Sequence, residues 1–364
     1  MANKKSASKK LSTREIILIV VIAVLIIALL VVLFGGDGLR SMLGAGQENE
    51  PPVKGNSVLS GSADYNLPPE LNGKILEVHF INIGQGDAMV CMLPDGKILL
   101  IDAGSGTYNY ARVPAEIRNN YNSYLEDNLK VDKIEYMIIS HPDADHVNLA
   151  AEVLDNYVVE NIYYNVYDGG TQTYTHFMTT ARSEVGANLY EVTTEEVWTV
   201  TGENYSFTIY ASGNTGFTGA ASATNSMSIM CLLEYGGRKV LFTGDAEVET
   251  EEWFIEKIGD ELCDIDVLKV GHHGSESCTS TDFVNFVKPE YAVISCGVGN
   301  SYRHPHAPTM QTLFNIGAIT YRTDRHGDIV LYIDEDGDFG FLPENNVPVD
   351  NNSKGLNART IIKD

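Results

Sequence analysis

The sequence predicts an α+β fold in which two sheets pack face to face and helices cover their outer sides. Three observations lead to this prediction. Short apolar runs of strand length recur along residues 74–333, and turn signals such as Pro94-Asp95-Gly96 and Gly236-Gly237 join some of them into hairpins. Helical patterns follow the hairpins in two successive halves, without a repeat of 20–50 residues. The hairpins favour mainly antiparallel sheets, and apolar helix faces must cover them.

The individual elements follow from periodicity and turn chemistry. Alternating or β-branched runs predict strands, whereas apolar spacing of three and four residues predicts helices. The expected strands are 74–83, 88–92, 97–101, 134–139, 162–166, 188–192, 205–211, 227–235, 239–243, 265–270, 291–295, 320–321 and 329–333. The expected helices are 114–129, 148–156, 247–258 and 281–287.

The first 34 residues differ from the rest of the chain. Residues 1–15 are a basic tail, and residues 16–34 are an unbroken apolar run. A helix of this run is about 28 Å long, enough to cross a bilayer. The positive flank predicts a single-pass signal anchor in the cell membrane, with a cytoplasmic N-terminus and an extracytoplasmic body. The alternatives are a cleaved signal peptide, disfavoured by the length of the run and the lack of a small-residue cleavage site, and a buried soluble helix, disfavoured by the absence of a polar face.

Composition divides and limits the remaining chain. Residues 35–72 are rich in Gly, Ser, Pro, Asn and Glu and predict a flexible linker, and residues 344–364 predict a polar tail. Residues 73–343 suit one layered hydrolase domain. The net charge of −24 disfavours tight nonspecific binding to DNA. It leaves room for a local phosphate site, because metals and a few arginines invert the field within a cleft.

The cysteine pattern indicates free thiols. No CxxC spacing occurs, so a zinc-thiolate site is disfavoured. Cys91 and Cys231 lie in apolar runs and are expected to be buried. One disulfide stays open as an alternative for an external domain. The five cysteines are Cys91, Cys231, Cys263, Cys278 and Cys296.

Residues 140–146 carry four candidate metal ligands directly after the apolar run 134–139. These ligands are His141, Asp143, Asp145 and His146. Carboxylates two positions apart repel each other unless a cation lies between them. A divalent metal resolves that conflict, and a polar loop with incidental histidines is the alternative.

Other candidate ligands also follow expected strands. Asp245 follows the run 239–243, and His272 and His273 follow the run 265–270. Seven of the nine histidines fall in the segments 141–146, 272–273 and 304–326, which is more clustering than chance gives. A hydrogen-bonded turn is the alternative for His272 and His273.

Eight segments together resemble the metallo-β-lactamase superfamily, and within it the nuclease-like domain of ComEC-type competence proteins. The segments are 79–87, 100–104, 140–146, 225–228, 242–245, 268–275, 300–306 and 321–328. The resemblance implies an αββα sandwich of two mixed sheets with a metal site at one edge. ComEC-type proteins also carry a multi-span channel region, whereas a single anchor is expected here. The hydrolytic domain is therefore implied, and the DNA-uptake role is not.

The chain departs from the wider superfamily at two places. The superfamily's first loop reads His-x-His-x-Asp-His, and Asp143 replaces the second histidine. Another metal-binding histidine is usual before the bridging aspartate, and this region carries Asn225 and Ser228 instead. The second departure matches the ComEC-type branch, and both remove a nitrogen donor.

The resemblance implies two divalent ions, Zn²⁺ or Mn²⁺, in unequal sites. The first site is expected from Asp145, His146, His273 and the bridging Asp245. The second, from His141, Asp143 and Asp245, is short of a ligand and richer in oxygen. Hard ions such as Mn²⁺ or Mg²⁺ are therefore expected there beside Zn²⁺, and this second ion is expected to be labile.

The expected roles follow two-metal hydrolysis, in which paired ions about 3.5–4 Å apart supply a hydroxide and stabilise displacement at phosphorus. Asp145, His272 and His304 are the expected catalytic residues, with the two histidines as proton donors or substrate contacts. Asp87 and Asp102 are expected to orient ligand histidines, with direct metal ligation as the alternative. Expected substrate contacts are Asn225, Ser228, Asn300, Tyr302, Arg303 and His306. Arg322, Arg325 and His326 add positive charge, unless they are solvated loop charges.

The resulting prediction is a membrane-anchored, extracytoplasmic, metal-dependent phosphodiesterase or nuclease that uses a metal-activated hydroxide. Its substrate is nucleic acid or a phosphodiester polymer of the cell envelope, and the net charge of −24 favours the envelope polymer. No obligate protein partner is expected. The alternatives are a metallohydrolase of a lactone, thioester or β-lactam, and a non-catalytic binding protein with a vestigial metal site.

Overall fold

The computed structural model describes residues 67–165, 169–193, 197–213, 222–350 and 361–362. The strands are β1 (Leu76–Phe80), β2 (Ala88–Met92), β3 (Ile98–Ala103), β4 (Lys133–Ile139), β5 (Val158–Asn165), β6 (Asn188–Val192), β7 (Trp198–Thr201), β8 (Tyr205–Ala211), β9 (Ile229–Tyr235), β10 (Arg238–Phe242), β11 (Val267–Lys269), β12 (Tyr291–Ile294), β13 (Ile319–Arg322), β14 (Ile329–Ile333), β15 (Phe339–Pro343) and β16 (Ile361–Ile362). The α-helices are α1 (Ala115–Ser123), α2 (Ala144–Val147), α3 (Ala150–Asn156), α4 (Gln172–Ser183), α5 (Val248–Lys257), α6 (Thr281–Val287), α7 (Ala307–Ile316) and α8 (Thr323–His326).

The strands form two mixed sheets. The first has the order β16-β15-β14-β1-β2-β3-β4-β5-β6, and the second has the order β13-β12-β11-β10-β9-β8-β7. The first sheet is antiparallel from β16 to β3 and parallel from β3 to β6. The second is antiparallel from β7 to β10 and parallel from β10 to β13. The mixed sheets are confirmed, and the hairpin-based expectation of mainly antiparallel pairing misses the parallel half of each sheet.

Three apolar layers hold the sheets and helices together. The layer between the sheets includes Val78 and Phe80 of β1 and Phe207 and Ile209 of β8, all with 0% exposure. A second layer lies between the first sheet and α1, α3 and α4. A third lies between the second sheet and α5, α6 and α7. Helix, sheet, sheet and helix therefore follow one another, which confirms the layered α+β architecture.

The ends of the described body are tied to its sheets. Leu67, Leu71 and Ile75 pack against Tyr332 of β14. Beyond β15, Asp350 forms a bridge with Thr320 of β13. The expected basic tail 1–15 and anchor 16–34, and linker residues 35–66, lie outside the described residues. Within the ranges the structure describes, no helix is both long and apolar enough to cross a membrane.

The cysteines agree with the expectation of free thiols. All five are unpaired, and all except Cys263 are buried. Cys91 of β2 and Cys231 of β9 lie in the layer between the sheets. Burial raises the pKa of the Cys91 thiol well above its usual range. These two thiols therefore act as small apolar core groups.

Candidate metal centre

The 140–146 loop begins at the carboxyl end of β4 and is fixed there by Asp102. One Asp102 oxygen accepts from the Ser140 backbone N–H and the other from the Ser140 hydroxyl, each at 2.7 Å. Asp102 has a φ of 57° at the end of β3, a conformation that Asp tolerates better than most residues. After Asp143 the chain turns into α2, which carries Asp145 and His146.

Backbone contacts join this loop to two neighbouring segments. The Asp87 N–H donates to the Asp145 carbonyl at 2.9 Å, and the Gly104 N–H donates to the Asp87 carbonyl at 3.0 Å. A Cβ at Gly86 would lie 2.3 Å from the Gly104 carbonyl oxygen, and a Cβ at Gly104 would lie 2.2 Å from the Asp145 carbonyl carbon. Only glycine fits these two positions, so the three segments pack backbone against backbone.

His141, His146 and His273 present the same pattern of contacts. His146 Nδ1 lies 2.8 Å from Asp102 Oδ2, His273 Nδ1 lies 3.0 Å from the Ser295 carbonyl, and His141 Nδ1 lies 3.0 Å from Ser140 Oγ. The Nε2 atom of each ring is buried without a hydrogen-bond partner. Fixing Nδ1 orients each ring and directs Nε2 into the centre, which is how proteins prepare metal-binding histidines.

Asp245 lies where these rings converge, directly after β10. Its Oδ1 is 3.2 Å from His146 Nε2, and its Oδ2 is 3.8 Å from His141 Nε2 and 3.9 Å from His273 Nε2. His273 Nε2 is also 3.5 Å from Asp145 Oδ2. Donors bound to one tetrahedral zinc at ordinary bond lengths lie about 3.3 Å apart. The donors are therefore spaced like ligands of shared ions, and the orphaned Nε2 atoms fit that purpose.

Asp143 completes the oxygen-rich side of the centre. Its Oδ2 lies 3.9 Å from His141 Nε2 and accepts from the Thr224 hydroxyl at 3.2 Å. Its side chain is 36% exposed, whereas that of Asp145, the corresponding carboxylate of the other set, is 14% exposed. The structure thus brings together all six expected metal ligands. The set around His141 is the more open of the two, as its expected lability requires.

Asp87 and Lys269 form an ion pair behind the centre that the sequence pattern did not reveal. Lys269 Nζ lies 2.8 Å from Asp87 Oδ2, and both side chains are fully buried. Asp87 belongs to a cluster of potential donors with His146, Asp245 and His273. Asp87, however, faces the Nδ1 side of the two histidines. Its Oδ1 lies 3.5 Å from His273 Nδ1, and its Oδ2 lies 3.9 Å from His146 Nδ1. Because Lys269 already neutralises it, Asp87 orients the rings from behind.

The Gly271–Gly274 turn brings two consecutive histidines to Asp245 with different degrees of exposure. His272 and His273 have φ values of 46° and 54°, in the left-handed region that most residues avoid. Strained backbone of this kind is concentrated at functional sites. His273 is directed inward, while His272 stays partly exposed, with Nε2 3.6 Å from Asp245 Oδ2. The amide of Asn225 lies 3.2 Å from His272 Nδ1 and holds the ring.

A cavity of about 140 Å³ opens beside the centre. Its lining includes the expected residues Asp143, Asp145, Asp245, His272, His273, Tyr302 and His304, and two that sequence reasoning missed, Gln85 and Thr107. Gln85 Oε1 accepts from the Gly297 N–H at 3.1 Å, and its amide nitrogen lies 3.4 Å from His304 Nδ1. Gln85 therefore connects the first half of the site with the 297–306 segment.

The remaining expected substrate contacts have structural partners. Ser228 Oγ accepts from the Asp245 N–H at 3.0 Å. The Asn300 side chain bonds the backbone of Gly297 and His304. Arg322 and Arg325 form ion pairs with Asp324 and Asp350, so their charge is largely neutralised. A direct substrate contact stays a prediction for all six expected residues, which are Asn225, Ser228, Asn300, Tyr302, Arg303 and His306.

Electrostatics in the centre couple acids and imidazoles. Burial raises the pKa of Asp245, but His146, His272 and His273 outweigh burial and hold that pKa well below its usual range. Burial lowers the pKa of His273, but Asp245, Asp87 and Asp145 outweigh it and raise that pKa to about 10. Burial, with a contribution from His146, lowers the pKa of His141 to about 4. Binding of a cation at this centre therefore competes with a proton on His273.

His304 is a neutral ring at physiological pH. Burial, followed by the charges of His273 and His272, lowers its pKa to about 4. A neutral imidazole donates one hydrogen bond but holds no second proton to release. Contact with a phosphate oxygen thus fits His304 better than the proton donation expected of it.

An aspartate surrounded by inward-facing imidazoles lies at one edge of two packed sheets. This combination of fold and site is typical of metal-dependent hydrolases. The chain belongs to the metallo-beta-lactamase superfamily, because the family model matches residues 84–298, more than half of the chain. The resemblance to competence proteins is also confirmed. The chain is 30% identical over 279 residues to ComE operon protein 3 of Bacillus subtilis, with 73% of the chain and 34% of that protein covered.

Two further proteins are similar to this chain. Recombination protein 2 of Haemophilus influenzae is 29% identical over 260 residues, with 71% of the chain and 29% of that protein covered. The chain therefore spans about a third of the length of these curated relatives. Among solved structures, the metallo-beta-lactamase fold protein YhfI from Bacillus subtilis aligns with a TM-score of 0.45 and 12% identity, covering 68% of this chain and 96% of that one.

Proposed function

We propose that this protein is a membrane-anchored, extracytoplasmic phosphodiesterase that depends on divalent metal ions. The observation that carries the proposal is the set of unpartnered Nε2 atoms of His141, His146 and His273 around buried Asp245. Leaving several buried polar atoms without partners costs about 1–3 kcal/mol each. An arrangement this costly is expected only where a ligand satisfies the atoms.

The ligand sets of the two proposed ions share Asp245. Asp145, His146 and His273 would hold one ion, and His141 and Asp143 would hold the other. Such ions supply an activated water near neutral pH and stabilise charge at phosphorus. The greater exposure of Asp143, at 36% against 14% for Asp145, supports a labile second ion.

The protein's own side chains would bind and orient the phosphodiester. His272 stands over Asp245 at the cavity wall, and Asn225 fixes its ring, so it is placed to donate a hydrogen bond to the leaving oxygen. His304, neutral and held beside Gln85, is placed to donate to a nonbridging oxygen. The short cavity admits the phosphate and leaves the rest of the substrate at the rim.

Phosphodiester chemistry is favoured by the oxygen-rich ligand set and by the relatives. Asp143 in place of a histidine provides a harder site, suited to Mn²⁺ or Mg²⁺ and to phosphate oxygens. The matched relatives are named as competence and recombination proteins. The anchor and the external location rest on the apolar run 16–34 and the basic residues before it.

The test is hydrolysis of bis-p-nitrophenyl phosphate by the purified full-length chain, with Mn²⁺, Zn²⁺ or no added metal. We expect metal-dependent turnover that falls to background in His146→Ala. His176→Ala, at a half-buried ring that stacks on Tyr110 and does not line the cavity, is the matched control and should retain activity. A lactone, a thioester and a β-lactam, assayed in parallel, should not be turned over. Turnover of one of these instead, or no metal-dependent phosphodiesterase activity, would refute the proposal.

A further inference from the structure

A row of aromatic rings leads from the metal centre to the protein surface. The ring of His304 stacks near His273, with centroids 6.2 Å apart and planes 28° apart. Tyr302 stacks near His304 in turn, at 5.6 Å and 27°. His304 is 8% exposed and Tyr302 is 46% exposed. The row therefore begins at a proposed metal ligand and ends on a ring that is open to solvent and lines the same cavity.

The backbone that carries the exposed outermost ring is held firmly. The Tyr302 carbonyl accepts from His306 Nε2 at 3.0 Å, and His306 Nδ1 accepts from the Glu276 N–H at 3.0 Å. Asn300 donates to the carbonyl of His304 at 2.7 Å and accepts from its N–H at 2.9 Å. Much of the ordering cost is therefore met before a ligand arrives, as in a preorganised binding surface.

Other apolar side chains are exposed on the 297–306 segment and on the loop that carries Thr107. Val298 precedes Tyr302 on the 297–306 segment and is 60% exposed, and Tyr108, next to cavity residue Thr107, is 43% exposed. Exposed apolar groups beside a polar cleft mark a binding surface rather than a folding requirement. A ligand with a phosphate in the cavity would thus meet apolar surface at the rim.

We infer that Tyr302 is a specificity-determining residue that stacks on a planar ring carried a few bonds from the substrate phosphate. The inference rests on the proposed phosphodiester-binding function and adds a requirement for a flat ring. Aromatic side chains bind planar groups by stacking, which every planar ring can satisfy. A rim that offers only apolar contact would bind a planar ring and a puckered ring of equal size equally well. A preference for the planar ring therefore distinguishes stacking on Tyr302 from nonspecific apolar contact.

The experiment measures binding without turnover. The full-length chain, loaded with Mn²⁺ in nanodiscs, is titrated by calorimetry with 4-phenylbutylphosphonate and with 4-cyclohexylbutylphosphonate. The two ligands share the phosphonate and linker and differ in ring planarity. We expect the phenyl ligand to bind about fivefold or more tightly, the lower range for one stacked ring. Thymidine 5′-phosphate against 2-deoxyribose 5-phosphate then shows whether a nucleobase supplies the ring.

Two variants assign the preference to Tyr302. Tyr302→Phe keeps the ring and should keep the preference, whereas Tyr302→Leu keeps apolar bulk and should abolish it. Equal affinities in the unmodified protein, a preference that survives in Tyr302→Leu, or no binding of the phenyl ligand would each overturn the inference. Ring-selective binding without bis-p-nitrophenyl phosphate hydrolysis would instead support this subsite and refute the proposed activity.

Discussion

Two groups of histidines meet at the site and differ in what holds them. The inner histidines, His141, His146 and His273, are at most 1% exposed, and each has Nδ1 fixed and Nε2 without a partner. The outer histidines, His272, His304 and His306, are more exposed and contact amides, backbone groups or one another. The same side chain thus serves two purposes. Fixed, buried rings are suited to ions, and accessible rings are suited to a substrate.

Removing one inner ring should have the largest effect on activity. His141→Ala leaves Asp143 and Asp245 as the remaining ligands of the more open set, so the second ion should be lost. We expect hydrolysis of bis-p-nitrophenyl phosphate to fall to background and the metal content, measured by plasma mass spectrometry, to fall by half. His304→Ala is the outer counterpart and should keep its metal content while losing part of its activity. Loss of metal from His304→Ala would contradict the assignment of metal binding to the inner histidines alone.

Breaking the ion pair behind the inner histidines should destabilise the fold. Lys269→Met leaves Asp87 buried without its cation, which costs about 3–5 kcal/mol of unfolding free energy. Lys257→Met is the matched control, because its pair with Glu256 lies on the surface and contributes about 0–1 kcal/mol. Urea denaturation measures both values. Equal losses in the two variants would show that Lys269 has no special role.

The unfolding free energy should depend on pH through Glu251, which holds the segment that follows the outer histidine His272. Its carboxylate accepts from the backbone N–H groups of Thr279 and Ser280, in the segment that follows His272. Burial raises its pKa from the ordinary 4.5 to about 7. The folded protein therefore holds a proton between these pH values that the unfolded chain has released.

Stability from Glu251 is thus complete below about pH 4.5 and is lost as the pH rises through about 7, by about 3 kcal/mol in total. Glu251→Gln should flatten the fall in unfolding free energy between pH 5 and pH 8, as measured by urea denaturation. The exposed Glu256→Gln on the same helix should leave the slope unchanged. An unaltered slope in Glu251→Gln would contradict this assignment.

The smallest expected effect concerns the orientation of one inner ring. Asp102→Asn keeps the left-handed backbone but can present an N–H to His146 Nδ1 instead of an oxygen. Such a change typically lowers metal affinity about 10- to 100-fold. Competition with a chelator measures the affinity, and exposed Asp155→Asn is the control. Unchanged affinity would mean that His146 is oriented without Asp102.

Local pattern was sufficient for many elements and insufficient for others. Strands β2, β6, β8 and β14 and helix α6 have the bounds expected from the sequence. Helix α4 was missed because it contains many threonines, whose branched side chains disfavour helices. It is stabilised by the Thr171 cap and by burial of Tyr174 and Phe177 against the first sheet. Helix α7 was also missed, although its sequence has the proline and glycine typical of helix ends. Pro308 lies in its first turn, and Gly317 follows its end.

Some residues of the candidate site could likewise be predicted from local pattern, and others could not. Ligand candidates could be found because His and Asp cluster after apolar runs, and each cluster is visible locally. Lys269 and Gln85 could not be found, because their partners lie far away in the sequence, at Asp87 and Gly297. A lysine within an apolar strand is a weak signal for a buried anion. Only the fold shows which anion it meets.

The glycine contacts around the 140–146 loop also bear on which ions enter. With Gly86 and Gly104 against the backbone of Asp145, the loop is anchored by peptide groups as well as by the buried Asp102 carboxylate. Such a frame cannot swell to accommodate a large cation. Calcium requires six to eight oxygens at about 2.3–2.6 Å, whereas zinc and magnesium bind at about 2.0–2.2 Å. We therefore expect the centre to bind the smaller ions in preference to calcium, because of two residues that lack side chains.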